Sequence, residues 1–117
     1  MKYALLIYGD ESIWDGLDEA ERAEVYAAHD AYTQQLVEAG VMAGGAELAP
    51  SDTATSVRFE REGCRLVDGP FAELREQLGG FYLIDVPDLD AALDWARRMP
   101  GLDGGCVEVR PIGLSDD

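Results

Sequence analysis

The stretch DGPFAELREQLGGFYLIDV, residues 68–86, is the most informative segment of this 117-residue chain. It opens with a turn at 68–70, continues through a short polar segment at 73–77, and crosses the glycine pair 79–80 into an apolar strand at 80–86. Polar side chains in a loop beside a rigid strand are a common setting for binding and catalysis. The segment therefore predicts a central strand of the fold and the neighbourhood of a functional site.

Hydrophobic periodicity and turn residues divide the rest of the chain into short strands and two helices. We predict strands at 2–8, 41–48, 55–60, 64–67, 80–86 and 105–112, helices from Asp18 to Gly40 and at 89–99, and a loop at 11–17. The strands at 55–60 and 64–67 flank a tight turn and form a β-hairpin. Pro111 indicates that the last strand ends there or lies at a sheet edge, and the tail at 115–117 is expected to fray.

The first helix has a clear beginning and end. Asp18 and Glu21 form a capping box, and Gly40 takes the usual glycine position after the last turn. The apolar stripe has the spacing i, i+4, i+7, i+11 and consists of Val25, His29, Tyr32 and Leu36. The pattern therefore places His29, the single histidine of the chain, on the helix face that packs on the sheet.

The order β-α-β, hairpin, β-α-β predicts an α+β sandwich of the ferredoxin-like kind in one domain, residues 1–117. Two helices cover only one face of such a sheet, yet the strands at 2–8 and 80–86 are apolar on both faces. We therefore expect a homodimer packed sheet to sheet about a two-fold axis. The alternatives are an exposed apolar patch around Tyr3 and Phe81, or a hairpin folded over that patch.

Charge and cysteine content exclude several classes of partner. The chain has 24 acidic and 9 basic residues and a net charge of −15, which argues against nucleic acid and anionic membranes as partners. The apolar run at 3–8 is too short for a signal peptide or a membrane span, so a cytoplasmic location is expected. Cys64 and Cys106 lack a CxxC spacing and are expected to stay reduced.

Motifs for metals and nucleotides are missing from the sequence. One histidine and two separated cysteines provide no zinc-binding pattern, and there is no GxGxxG motif, P-loop or nucleophile elbow. We therefore expect neither a metal ion nor a cofactor, and chemistry that needs only side chains remains open.

His29 is the main candidate for such chemistry. Burying an imidazole is costly without a polar partner, and a half-buried imidazole near a carboxylate is well suited to proton transfer near neutral pH. Asp68 in the turn is the preferred partner, because Asp30 points to another side of the helix and Glu38 lies too far along it. The alternative is that His29 is a structural core residue and Asp68 only stabilises its turn.

Further residues are candidates for substrate binding. Phe71 would form a wall of the cleft, and Arg75 and Arg110 would clamp a substrate carboxylate through their planar guanidinium groups. Tyr8 and Tyr82, placed together on one strand face, would supply phenol hydrogen bonds. Alternatively, both arginines form surface ion pairs of little energetic consequence with neighbouring carboxylates such as Glu73 and Glu108.

The segment 68–85 resembles the signature of the YCII-related family, in the branch named after its DGPF motif. Matching pieces also occur at 3–10, at 38–41 after the His29 helix, and at 107–112. The resemblance implies a ferredoxin-like fold, a dimeric α/β barrel, and an active site built on a histidine, here His29, and an acidic residue. It also implies a link to sigma factors, beside which such proteins are often encoded. Where relatives commonly have threonine and lysine, this chain has Leu74 and Arg75.

Two functional hypotheses follow. The first is a cofactor-independent enzyme of isomerase, lyase or dehalogenase type, with His29 and Asp68 as an acid–base pair acting on a small lactone or other carbonyl compound. The second is a non-catalytic dimeric module that binds a small ligand or a sigma-factor partner.

Overall fold

Six strands and three α-helices occur in residues 1–101 and 103–113, the part of the chain that the computed structural model describes. The strands are β1 (Lys2–Gly9), β2 (Met42–Glu47), β3 (Thr55–Glu60), β4 (Gly63–Asp68), β5 (Gln77–Asp85) and β6 (Cys106–Pro111). The helices are α1 (Glu11–Asp15), α2 (Glu19–Glu38) and α3 (Leu89–Arg97). The predicted fraying of 115–117 falls outside the described residues.

The ends of α2 form as the sequence predicts. The Asp18 carboxylate accepts the Glu21 backbone N–H at 2.8 Å, and the Glu21 carboxylate accepts the Asp18 N–H at 3.0 Å. Gly40 follows the last turn with φ +74°, a backbone conformation that glycine adopts without strain.

The predicted loop at 11–17 is wrong, because α1 begins inside it. Asp10 precedes this helix, and its carboxylate accepts the Ser12 backbone N–H at 2.9 Å and the Ser12 hydroxyl at 2.6 Å. These hydrogen bonds satisfy a free backbone donor at the helix start and hold the pKa of Asp10 below its ordinary value.

The main sheet has four strands in the order β2-β5-β1-β6, with every neighbouring pair antiparallel. This order, with α2 and α3 as the two crossover helices, is the predicted α+β ferredoxin-like arrangement. β6 ends at Pro111 and lies at an edge, where the missing N–H of proline is tolerated.

The two faces of this sheet have different surroundings. One face packs on α2 and α3 around a buried core that consists of Tyr3, Leu5, Tyr32, Leu36, Tyr82, Ile84, Val86, Ala92, Trp95 and Met99. Residues opposite each other on neighbouring strands share a face, so the pairs Ala4–Leu83 and Leu6–Phe81 lie on the other side. We call that side the open face. Tyr3, which the alternative to the homodimer placed in an exposed patch with Phe81, belongs to the core.

The hairpin β3–β4 forms a separate two-stranded sheet, as predicted from the turn at 61–63. The molecule measures 46 × 43 × 20 Å with a radius of gyration of 16.1 Å, whereas a compact chain of this length has about 13 Å. The chain is therefore a thin two-layer body rather than a sphere.

None of the helices in the described residues is long and apolar enough to cross a lipid bilayer.

Candidate active site

Helix α2 presents His29 to the central strand β5. The Nδ1 atom of His29 lies 3.1 Å from the hydroxyl oxygen of Tyr82, and the two rings are nearly parallel with their centroids 6.2 Å apart. His29 is half-buried, whereas Tyr82 is only 9% exposed. The imidazole therefore has a polar partner inside the helix–sheet layer, which offsets the cost of burying it.

The Tyr82 hydroxyl has a second partner on the same helix. The Thr33 hydroxyl oxygen lies 3.2 Å from it, and Thr33 follows His29 by four residues, so both side chains lie on one side of α2. The Tyr82 ring also packs edge-on against Tyr32, with centroids 5.3 Å apart. Two polar contacts and one ring contact, all from α2, thus hold this phenol in place.

Glu47 at the end of β2 is the carboxylate of this site. Its Oε1 atom accepts the Tyr26 hydroxyl at 3.2 Å, and its charge acts on His29. Tyr26 in turn packs edge-on against Trp14 of α1, with centroids 5.4 Å apart. The cluster of His29, Thr33, Tyr82, Tyr26 and Glu47, named the polar cluster here, therefore runs from the core to the surface.

A register shift in β2 turns Glu47 towards the helices. The pairing of β2 with β5 is irregular between Met42 and Gly44, so that Met42 faces Ile84 and Glu47 faces Gly80. Without this extra residue, strict alternation would point Glu47 to the open face. Glycine is required at position 45, because a Cβ atom there would lie 2.7 Å from the backbone oxygen of Phe81 and φ is +156°. The close approach of β2 to β5 thus assembles the polar cluster.

The environment of His29 favours the neutral imidazole. Burial lowers the pKa of His29 below its ordinary value, while the carboxylates of Glu47 and Asp30 and the Pro100 carbonyl oppose that effect. Because burial is the largest of these influences, the ring is uncharged at neutral pH and can accept a proton.

Asp68 is not the partner of His29. It ends β4 in the separate hairpin sheet and is exposed, and it is not among the described groups that hydrogen-bond His29 or act on its charge. The pairing expected from the turn motif fails because α2 packs on the four-stranded sheet, to which β4 does not belong. Asp30, discounted from the helical wheel, does influence His29, since charge acts through space without a shared face.

Tyr8 and Tyr82 lie on opposite faces of the sheet rather than on one. Tyr82 pairs with Leu5 of the core, whereas Tyr8 pairs with Cys106 towards the open face. There Tyr8 lines a groove of about 550 Å³, together with Leu74, Arg75, Glu76, Cys106 and Glu108. Arg75 therefore lies beside Tyr8 and not beside His29.

Arg110 and Phe71 lie apart from the polar cluster as well. Arg110 donates to the Glu108 carboxylate at 2.6 Å, and this contact raises the pKa of Arg110. This surface ion pair is the alternative to substrate binding that the sequence analysis gave for Arg110. Phe71 is 79% exposed and has the guanidinium of Arg58 5.4 Å from its ring centre. The five predicted substrate-binding residues therefore do not form one site.

Sequence reasoning missed three members of the polar cluster. Thr33 could have been predicted from the sequence, because a polar residue four positions after His29 must lie near it on a helix. Tyr26, three positions before His29, could be placed near it by the same rule, whereas Glu47 had no such signal, since its contact with Tyr26 depends on the register of β2 against β5. Within the described residues no three His, Cys, Asp or Glu side chains form a metal-binding group, and the expectation that no cofactor is needed stays a prediction.

Comparison with known proteins agrees with the fold. The model of the YCII-related domain matches residues 1–114. An uncharacterized protein of Rhizobium meliloti (strain 1021) is 41% identical over 116 residues, which span 97% of this chain and 94% of that relative. Membership of the DGPF branch stays a prediction, but the ferredoxin-like topology and these two matches agree, and the chain belongs to the YCII-related domain family.

Proposed function

We propose that this protein is a cofactor-independent enzyme in which His29 moves a proton beside the carbonyl group of a small organic substrate, such as a lactone. The observation that carries the proposal is the half-buried imidazole whose Nδ1 lies 3.1 Å from the Tyr82 hydroxyl. Burial lowers the pKa of His29, so the ring is neutral and basic at the pH where a general base must work.

In this proposal the hydrogen bonds of Tyr82 leave Nε2 of His29 as the base, in opposition to the Pro100 carbonyl, which accepts only from an N–H group of the ring. The phenol has one proton to donate, and its two neighbours are His29 Nδ1 and Thr33 Oγ1. When Tyr82 donates to Thr33, its oxygen accepts the Nδ1–H group and Nε2 keeps its lone pair. The oxygen of the Thr33 hydroxyl has lone pairs and can accept the phenol proton. Thr33 is therefore a positioning residue in this proposal.

The proposed step conserves every proton and electron pair. The carbon–hydrogen bond next to the carbonyl breaks, the proton moves to Nε2 of His29, and the electron pair stays on the substrate as an enolate. The carboxylates of Glu47 and Asp30 stabilise the imidazolium that forms, since both act to raise the pKa of His29. Return of the proton to a different carbon completes an isomerisation, and departure of a leaving group with its electron pair completes an elimination.

Deuterium uptake tests this proposal without knowledge of the natural substrate. Small γ-lactones, saturated and β,γ-unsaturated, are incubated in deuterated buffer, and NMR follows deuterium at the carbon beside the carbonyl. We expect uptake with the wild type, and a loss of about 100-fold or more in His29→Gln, the usual scale for a general base. Glu24→Gln, an exposed carboxylate change on the same helix, is the matched control.

The contrary outcome is also defined. In that outcome, lactones bind wild type and His29→Gln with equal affinity, and neither protein catalyses deuterium uptake. This result would reject the enzyme and support the alternative, a dimeric ligand-binding module. A sigma-factor association stays a prediction under both readings.

We also propose that the protein is a homodimer packed through the open face. Ala4, Leu6, Phe81 and Leu83 form an apolar centre on that face, away from both helices. Burial of such a surface against a second copy would complete the dimeric α/β barrel expected from the sequence. The two free cysteines suit a reducing compartment, and the cytoplasmic location stays a prediction.

A further inference from the structure

The hairpin β3–β4 is amphipathic, and its apolar side is uncovered. Val57 pairs with Leu66 and Phe59 pairs with Cys64, so these four side chains share one face. Phe59 is 88% exposed, Leu66 70% and Val57 48%. The opposite face carries charged groups, with Arg65 Nε 2.9 Å from the Glu60 carboxylate.

This arrangement leaves the hairpin short of support. An isolated two-stranded hairpin is marginally stable in water and needs an apolar surface to pack on, and clustered exposed apolar side chains mark an interaction site. Since the charged side of the hairpin suits solvent, the side with Phe59 and Leu66 is the one that needs a partner.

A groove against which these apolar side chains can pack lies on the same chain. The groove on the open face has a volume of about 550 Å³ and is lined by Tyr8, Leu74 and Cys106 together with the charged Arg75, Glu76 and Glu108. It is shallow and open to solvent, so a phenylalanine and a leucine side chain would pack against its apolar part. An arginine at such a groove also favours an aromatic guest, because a guanidinium binds the face of an aromatic ring. The chain thus carries an apolar protrusion and a groove lined by both apolar and charged residues, and in one copy the protrusion remains exposed.

We infer that the β3–β4 hairpin of each copy inserts Phe59 and Leu66 into the Tyr8–Leu74–Cys106 groove of a second copy. The exchange is reciprocal, so two copies related by a two-fold axis satisfy both hairpins and both grooves in a closed pair. The inference rests on the homodimer proposed above and adds the residues that hold it together.

The area needed for a stable dimer supports a joint contact. Six-residue strands are about 20 Å long, so the apolar face of the hairpin offers only about 200 Å². A typical specific interface buries about 800 Å² on each partner. The hairpin alone is therefore too small, and the rest of the contact area in such a dimer would have to come from the open face.

The two natural cysteines provide the test, because Cys64 lies on the apolar side of the hairpin and Cys106 lines the groove. Both are exposed and free, so Cys64→Ser and Cys106→Ser are expected to fold. Each single variant and an equal mixture of the two are treated with a short bismaleimide and separated on a denaturing gel. We expect a covalent dimer in the mixture, where Cys64 of one chain meets Cys106 of the other, and little in either variant alone.

Three outcomes would overturn the inference. A covalent dimer in the Cys106→Ser variant alone would mean that hairpins meet each other. A dimer by light scattering that gives no cross-link in the mixture, and that persists unchanged in Phe59→Asp, would leave the sheet-to-sheet dimer intact without hairpin exchange. A monomer by light scattering would reject the dimer itself. The deuterium exchange of lactones that tests His29 is measured independently of all three outcomes.

Discussion

The Nδ1 atom of His29 and the hydroxyl of Tyr82 form a 3.1 Å contact between residues 53 positions apart. It joins helix α2 to the central strand β5 and fixes the imidazole at the border between core and solvent. Because the chain has a single histidine, every spectroscopic signal of a histidine ring reports on this contact.

The first prediction concerns the pKa of His29. NMR titration of the ring should give a value below the ordinary 6.5, and Glu47→Gln should lower it further, because that carboxylate stabilises the imidazolium. Glu24→Gln serves as the control and should leave the pKa unchanged. An unaltered pKa in Glu47→Gln would remove Glu47 from the polar cluster.

The tautomer of His29 gives a second prediction. Nitrogen chemical shifts of the ring should show Nδ1–H in the wild type and a shift towards Nε2–H in Thr33→Val, where Tyr82 loses its acceptor and donates to Nδ1 instead. Activity on lactones should fall about 10-fold or more, in keeping with a general base, and Thr33→Ser should restore both properties. Nε2–H in the wild type would contradict the proposed base.

Stability should depend on pH through His29. The folded protein has a lowered pKa at His29, so the unfolded chain binds the proton more tightly. The contribution of His29 to the free energy of unfolding is therefore fully present above the pKa of the unfolded state, about 6.5, and is lost as the pH falls through the pKa of the folded state. In urea unfolding, the free energy of unfolding of the wild type, measured relative to His29→Gln, should decrease as the pH falls below that value. A difference that is constant from neutral to mildly acidic pH would argue against a lowered pKa.

Glycine 45 should be indispensable for the position of β2. Gly45→Ala places a methyl group 2.7 Å from the Phe81 oxygen at φ +156°, so we expect a loss of about 1–3 kcal/mol in unfolding free energy, the scale of local backbone strain. Gly9→Ala, with no atom within 4 Å of the new methyl group, is the control. Equal stability of the two variants in urea would show that β2 adjusts without strain.

Tyr32 should contribute more to stability than Tyr26. Tyr32 is 2% exposed and donates to the Trp95 carbonyl at 2.6 Å, and burial raises the pKa of Tyr32 to about 12, so its proton is present at neutral pH. Tyr32→Phe removes this buried hydrogen bond, while the Trp95 carbonyl keeps the backbone N–H of Arg98 at 3.2 Å, so we expect a cost of about 0.5–1.5 kcal/mol. Tyr26→Phe, which affects an exposed pair, should cost less in the same denaturation series.

Sequence reasoning succeeded where neighbouring residues carry the signal. The Asp18–Glu21 capping box, the Gly40 stop and the hairpin around 61–63 follow from local turn and helix chemistry, and the structure confirms them. Helix α1 was missed because its main determinant, the pair of hydrogen bonds that Ser12 donates to the Asp10 carboxylate, lies at the start of a helix of five residues with little periodicity.

The candidate site was only partly predictable. His29 was identified because a histidine interrupts an apolar helical stripe, and Tyr82 was identified as a phenol on a core strand. Asp68 was chosen as partner because it ends a conspicuous turn, although nothing in a turn motif specifies which helix will lie beside it. The structure places Glu47 near His29 instead.

Local patterns in the chain are enough to predict the strands, the two long helices and the α+β order, because alternation, helical spacing and caps act between residues a few positions apart. The influence of Glu47 on His29 and the placement of Tyr8 and Tyr82 on opposite faces follow from how distant segments pack. A one-residue irregularity between Met42 and Gly44 reverses the face of every later residue in β2. Such a shift is set by the fit of β2 against β5, to which distant parts of the chain contribute together.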